Sequence, residues 1–242
     1  CQNCLAASCQ QVCPRDAISF VNGKSFIDPG KCIKCGKCAQ ACDYNAIIHL
    51  ERPCQAACGM DAIGMDENGK ALINQDKCVS CGQCLVSCPF GAIVDKGQIY
   101  QVVRSIMEGE EVYAIAAPAF ASQFGKDVTV GRLRAAIQAL GFKDMVEVAV
   151  GADICTVEEA RDFVEKVPAE QPYMATSCCP AWHSMVHKLF PAQAKNISMT
   201  LTPMVYTARM VKKDHPGAKI VFVGPCAAKK LEAIRENIRS DV

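Results

Sequence analysis

Cys32-x2-Cys35-x2-Cys38-x3-Cys42 and Cys78-x2-Cys81-x2-Cys84-x3-Cys88-Pro89 each space three thiols so that one tight loop can wrap them around an inorganic cubane. The fourth thiol follows after a longer step and points away to another site. A zinc site typically pairs two Cys-x2-Cys arms and needs no third close cysteine. The spacing therefore predicts two [4Fe-4S] clusters and one-electron chemistry. A further set, Cys1-x2-Cys4-x4-Cys9-x3-Cys13-Pro14 with Cys54-x3-Cys58, holds six thiols, enough for one more [4Fe-4S] cluster and two short of a second. Cys1, Cys4, Cys9 and Cys58 can share that cluster, leaving Cys13 and Cys54 to pair with ligands upstream of residue 1. His49 stands where the second copy would have the counterpart of Cys4, either as a ligand or as a surface or packing histidine.

Cysteine is the one unusual feature of the composition: 18 of 242 residues, 14 of them within residues 1 to 88. Secreted disulfide scaffolds are cysteine-dense but short, whereas close Cys-x2-Cys steps over a chain of this length favour metal. The formal net charge of +1 comes without a charge run, so no nucleic-acid face is expected. The apolar stretches, such as residues 112–120, fall short of the roughly 20 residues of a membrane span, so no membrane contact is expected and the location expected is cytoplasmic. The chain opens at Cys1 inside a motif, without an initiator Met, which predicts that residue 1 is not a native N-terminus.

The elements that must position these thiols repeat at a period of about 45 residues. Cys-x3-Ala-Ile recurs at Cys13, Cys42, Cys58 and Cys88, and Asn22-Gly23 and Asn68-Gly69 predict a two-residue hairpin turn in each copy. This hairpin reading also disposes of Gly64-x4-Gly69-Lys70 as a phosphate loop, since Ala71 replaces the Ser or Thr such a loop needs. Beyond Gly97 the pattern lengthens. It predicts helices over 98–107, 130–140, 156–167 (with Thr156 as N-cap), 181–189 and 203–213, and another after Cys226. It predicts strands over 111–117, 145–150, 173–176 and 219–223. The alternation argues an α/β layer on a mainly parallel sheet. Three regions follow: 1–97, a duplicated iron-sulfur domain; 98–110, a connecting helix; and 111–242, an α/β domain.

The first region resembles a bacterial-type two-cluster ferredoxin. That resemblance implies an α+β ferredoxin-like repeat in which Cys32, Cys35, Cys38 and Cys88 hold one cluster and Cys78, Cys81, Cys84 and Cys42 the other. Asp43 departs from the proline that usually follows the fourth cysteine. In the third region, Thr176-Ser177-Cys178-Cys179-Pro180-Ala181-Trp182 and Gly224-Pro225-Cys226-Ala227-Ala228-Lys229-Lys230-Leu231-Glu232 each put cysteine at an expected strand end before a helix, where ligands of α/β sheets bind. These segments resemble the first two signature motifs of the [FeFe] hydrogenases. Ala117-Pro118-Ala119 and Gly151-Ala152-Asp153 with Glu158-Glu159-Ala160 resemble family segments in the same order.

The resemblance implies reversible reduction of protons to H2 at an H-cluster, a di-iron subsite joined to a [4Fe-4S] cluster. It places Cys179 and Cys226 on cluster ligands, Cys178 on the proton-carrying thiol and Lys229 on the lysine that hydrogen-bonds a cyanide of the di-iron unit. Glu159, Asp162, Ser198 and Glu232 fall on the proton relay. For Glu159 and Asp162, solvated charges in a helix first turn are an equal alternative. The implied partners are a low-potential donor or acceptor such as ferredoxin, and the di-iron maturation machinery.

Gly224 stands where many members have Met, and Met204 where many have Gln, so the pocket is expected to be lined differently, as in a divergent subgroup. A third motif with two further cysteines is not among these residues, so an H-cluster is expected only in a longer protein. Cys155 is expected to be a packing residue, and His183 and His187 helix-surface residues. Two other functions compete. A non-catalytic electron-transfer or cluster-carrying relative is opposed by Cys178, since a relay thiol has no use without turnover. A redox-inert zinc protein would show no absorbance near 400 nm.

Overall fold

A left-handed backbone residue introduces three of the four short helices that carry the cysteine repeat. Ala7, Gly36 and Gly82 are the N-caps of α1 (Ser8–Gln11), α2 (Lys37–Gln40) and α4 (Gln83–Val86), and α3 (Pro53–Ala56) instead starts on a proline. The computed structural model describes residues 1–48, 51–235 and 241; the candidate ligand His49 lies outside them. Residues 1–52 and 53–242 form two compact units. The division at residue 97 expected from sequence follows a change of composition, whereas contacts place the second copy of the repeat in one unit with the α/β layer.

Within residues 1–52, α1 packs on α2 and the hairpin β1 (Ile18–Val21) and β2 (Lys24–Ile27) runs between them. Asn22 and Gly23, at φ 50° and 72°, make the expected two-residue turn. Within residues 53–242, α3 packs on α4 around β3 (Ile63–Met65) and β4 (Ala71–Ile73). Here the expected turn is corrected. The connection spans residues 66–70, with only Gly69 left-handed, and the Asp66 carboxylate accepts the N–H groups of Asn68 and Lys70 at 3.0 and 2.7 Å. The extra residue lies in this loop, which is why Cys58 and Cys78 stand one residue further apart than Cys13 and Cys32.

After α5 (Ile99–Met107) comes a three-stranded parallel sheet in the order β6 (Asp144–Glu147), β5 (Val112–Ala116), β7 (Lys219–Val223). All five residues of β5 are buried, as a central strand covered on both faces requires. The side chains alternate. Ala114, Ala116 and Met145 meet Leu133 and Ile137 of α6 (Val130–Ala139) on one face. Tyr113, Ile115 and Ile220 meet Val148 of α7 (Val148–Lys166) and Met204, Val205, Ala208 and Val211 of α9 (Pro203–Asp214) on the other. α8 (Pro180–Leu189) and α10 (Ala227–Ala233) complete the order.

Three expectations in this half are corrected. The strand expected over 145–150 ends at Glu147, and α7 begins at once at Val148. Thr156 is therefore not an N-cap but an interior residue whose hydroxyl donates to Ala152 O at 2.8 Å. The strand expected over 173–176 is a single bridge between Ala175 and Ile197. In the first two cases β-branched Val146, Val148, Val150 and Thr156 suggested an extended or broken segment, and packing of α7 against α9 overrode that preference.

Candidate functional site

The repeat builds two kinds of thiol cradle. At Cys13, Cys42, Cys58 and Cys88 the third residue on (Asp16, Asn45, Asp61, Gly91) is left-handed, at φ 46°, 48°, 47° and 59°. Asn, Asp and Gly tolerate that conformation best. The turn aims the N–H of the following alanine at the sulfur: Ala17, Ala46, Ala62 and Ala92 donate to Sγ at 3.3, 3.4, 3.3 and 3.3 Å. This is the physical content of Cys-x3-Ala-Ile. At Cys1, Cys32 and Cys78 it is the second residue on, Asn3, Lys34 or Ser80, that is left-handed, and its N–H donates to Sγ at 3.4, 3.4 and 3.3 Å.

Such donors favour the thiolate. The Cys42 thiol is held below its ordinary pKa by the N–H of Ala46 and then of Tyr44, and the Cys88 thiol by Ala92 and then Phe90. Partial burial pushes Cys84 the other way. Iron-sulfur clusters bind thiolates and accept N–H···S hydrogen bonds, so cradles of these two kinds suit ligands of the group. Among the described residues no three His, Cys, Asp or Glu side chains gather around one ion position.

Two helix starts carry the second part of the site. Cys179 is the N-cap of α8 and Cys226 the N-cap of α10, each followed by a helix that packs on the other. Pro180 at the first position of α8 suits a helix start. The loop from Cys78 to Cys84 docks onto these two helices. Val79, 5% exposed, clusters with Ala181 and Ala228, and Met60, Met185 and Cys226 close around them. A Cβ on Gly82 would meet Ala227 Cβ at 3.3 Å. Lys188 of α8 donates its ammonium to Cys78 O at 2.8 Å and Gln75 O at 3.4 Å. Lys230 of α10 pairs with Asp95.

Of the four residues expected in the proton relay, Glu232 alone is hydrogen-bonded to another expected site residue among the described residues. Lys229 Nζ donates to Glu232 Oε2 at 2.7 Å, and Thr202 Oγ1 donates to the same oxygen at 3.2 Å. Glu232 is 2% exposed. Thr202, the N-cap of α9, was missed from sequence, although a Thr-Pro pair before an apolar run marks a helix start. Ser198 is buried and accepts the N–H of Thr200 at 3.2 Å. Glu159 Oε1 is buried with no hydrogen-bond partner among the described residues. The first-turn alternative for Glu159 and Asp162 is excluded, since both lie well inside α7; Asp162 is half-buried and ion-paired to Lys166 at 3.1 Å.

Cys178 and Cys179 are exposed; Cys155 is buried, and burial, followed by Glu159 and Cys178, pushes its thiol up to about 11. His183 and His187 lie on α8 with ring centroids 4.4 Å apart, and burial and then His187 lower the pKa of His183.

Beside Cys226, a cavity of about 360 Å³ opens at the C-terminal ends of β5 and β7, lined by Ala116, Ala117, Phe120, Met145 and Gly224 among others. A Cβ on Gly224 would fall 2.7 Å from the Phe222 ring and 2.9 Å from Ala117 Cβ. Phe222 thus occupies the space a side chain at position 224 would need.

The comparisons agree with this arrangement. The family model for the C-terminal domain of the iron-only hydrogenase large subunit matches residues 110–242, more than half of the chain. A 4Fe-4S binding domain matches residues 25–48, and an LdpA iron-sulfur cluster-binding domain residues 48–99. Iron hydrogenase 1 of Clostridium pasteurianum is 32% identical over 94% of this chain and 43% of its own length. The periplasmic [Fe] hydrogenase large subunit of Nitratidesulfovibrio vulgaris is 32% identical over 93% of this chain and 54% of its own. The chain thus spans about half the length of these curated relatives. A probable cytosolic Fe-S cluster assembly factor of Aedes aegypti is 32% identical over 49% of the chain and 27% of its own length.

Apo [FeFe]-hydrogenase from Chlamydomonas reinhardtii shares the fold, with a TM-score of 0.53 at 24% identity over 58% of this chain and 41% of its own. No described helix is long and apolar enough to cross a membrane. The protein is a hydrogenase-related iron-sulfur protein with [4Fe-4S]-binding domains, and the chain belongs to the iron-only hydrogenase large-subunit family.

Proposed function

We propose that the chain is the electron-relay and partial catalytic portion of an [FeFe] hydrogenase, interconverting protons and H2. Three [4Fe-4S] clusters in residues 1–97 would exchange electrons with a low-potential partner such as a ferredoxin. The observation that carries this reading is the docking of the Cys78–Cys84 loop on α8 and α10, the helices that begin at Cys179 and Cys226. A cluster held by that loop and one held by those two N-caps would be separated by little more than Val79, Ala181 and Ala228.

The H-cluster, held by Cys179, Cys226 and further cysteines outside these residues, supplies the redox chemistry of H2 when bound. The chain's own residues move the proton. Cys178 presents its thiol just ahead of α8, Glu159 offers a buried carboxylate oxygen without a partner, and Glu232 a buried carboxylate. Lys229 and Thr202 fix one oxygen of Glu232. Asp162, ion-paired to Lys166, would pass protons outward at the half-exposed end of the relay.

The similarity to a cluster assembly factor favours a second reading, a non-catalytic cluster carrier. The two part at Cys178. In the longer protein matured with the di-iron unit, Cys178→Ala is expected to lose nearly all H2 evolution from a reduced low-potential donor while iron content and visible absorbance stay unchanged. Full activity in that variant refutes the relay. No activity in the matured wild type refutes the hydrogenase reading.

A further inference from the structure

The crossed sets implied by the ferredoxin resemblance take the two most regular loops as partners, Cys42 with Cys78, Cys81 and Cys84, and Cys88 with Cys32, Cys35 and Cys38. The packing of the helices groups the thiols differently. The repeat comprises four copies of one element, a four-residue helix with cysteine at its second position (Cys9, Cys38, Cys54, Cys84) and another cysteine two residues past its end (Cys13, Cys42, Cys58, Cys88). α1 packs on α2 with one hairpin between them, all within residues 1–52, and α3 packs on α4 with one hairpin between them, all within residues 53–242.

The first of these modules is complete. Cys1 accepts the N–H of Asn3 as Cys32 accepts that of Lys34 and Cys78 that of Ser80. The irregular step from Cys4 to Cys9 therefore leaves the start of the loop unchanged, and Ala7 supplies the left-handed N-cap that Gly36 and Gly82 supply elsewhere. This module holds eight cysteines, enough for two sets of four. The second module holds six, because nothing before Cys54 matches the pair that precedes Cys9. Short connections also favour partners within a module, since closing a longer loop costs more chain entropy.

We propose, on the three-cluster reading above, that the ligand sets are Cys1, Cys4, Cys9 and Cys42; Cys13, Cys32, Cys35 and Cys38; and Cys58, Cys78, Cys81 and Cys84. Cys54 and Cys88 belong to no four-cysteine set. Cys13 thereby becomes a ligand, and the cluster docked on α8 and α10 takes its fourth thiolate from Cys58.

Cys13→Ala and Cys88→Ala in the full chain, loaded anaerobically, separate the two partitions by iron and acid-labile sulfide content and by low-temperature EPR after reduction. Cys88→Ala is expected to keep the wild-type iron content and EPR spectrum. Cys13→Ala is expected to lose about four irons per chain or to convert one cluster to a three-iron form. Cys13→Ser, with a weaker oxygen donor and less disturbance to folding, is expected to retain iron but shift one EPR signal. Loss of a cluster in Cys88→Ala, or unchanged clusters in both Cys13 variants, overturns the partition. A wild type with about eight irons overturns the three-cluster reading itself.

Discussion

Gly151→Ala sets two effects of opposite sign against each other. Gly151 is buried in α7, and replacing a helix-interior glycine by alanine ordinarily stabilises by about 1 kcal/mol. Here the new Cβ would lie 3.0 Å from Thr207 N and closer still to Pro203 O and Thr207 Oγ1, all on α9. Two of those atoms are backbone in a packed helix, and Thr207 Oγ1 is itself tied to Pro203 O at 2.8 Å, so no flexible chain end can yield. Overpacking of this kind costs about 1–3 kcal/mol, and backbone contact places it at the upper end. The net expectation is destabilisation by about 1–2 kcal/mol, a Tm lower by roughly 2–8 °C for a domain of this size.

Gly131→Ala is the control. It lies in α6 with Thr129 Oγ1 as the nearest atom, 3.9 Å from its would-be Cβ, and is expected to be neutral or stabilising by up to about 1 kcal/mol. Anaerobic thermal unfolding of the cluster-loaded protein, followed by circular dichroism, measures both. A Gly151→Ala protein as stable as the Gly131→Ala control would refute the claim that close approach of α7 and α9 requires glycine. Because the N-cap of α9 is Thr202, pushing α9 outward is also expected to loosen the Glu232 network.

Thr202→Ala removes a hydroxyl donor from a buried carboxylate and is expected to destabilise by about 1.5–3 kcal/mol, with Thr202→Ser near wild type in denaturant titrations. Lys188→Met takes a positive charge from the carbonyls of the Cys78 loop and is expected to make one cluster midpoint potential more negative while Lys188→Arg leaves it close to wild type; an EPR-monitored redox titration with no shift would sink the assignment. The Cys155 thiol ionises near 9.0 when unexceptional and near 11 when folded, so the native state keeps its proton longer than the unfolded chain. Its contribution to stability is therefore present below pH 9 and lost as pH rises from 9 to 11. Cys155→Ala is expected to flatten that part of the pH–stability curve, read from unfolding free energies at each pH.

Local chemistry made much of this protein legible from its residues. The cysteine spacings, the recurring Cys-x3-Ala-Ile, the Asn22-Gly23 turn and the helix starts at Pro180 and Pro203 depend on neighbours a few residues away. β7 and α9 follow their apolar periodicity closely. The errors lie where distant contacts decide. Thr156 reads as an N-cap because its hydroxyl suits one, but burial of Val148, Gly151 and Cys155 extends α7 by two turns ahead of it. Tyr173 to Thr176 has strand character yet finds only one bridging partner.

The sequence by itself determined the chemistry, because a thiolate's affinity for iron and its spacing along a loop are local properties. Only the tertiary structure decided which elements meet. The grouping of α1 with α2 and α3 with α4, the seat of Val79 between α8 and α10, and the closing of Thr202 and Lys229 on Glu232 join residues up to 149 positions apart, as from Val79 to Ala228. Such contacts are selected by shape and burial in three dimensions, and no short-range pattern records them.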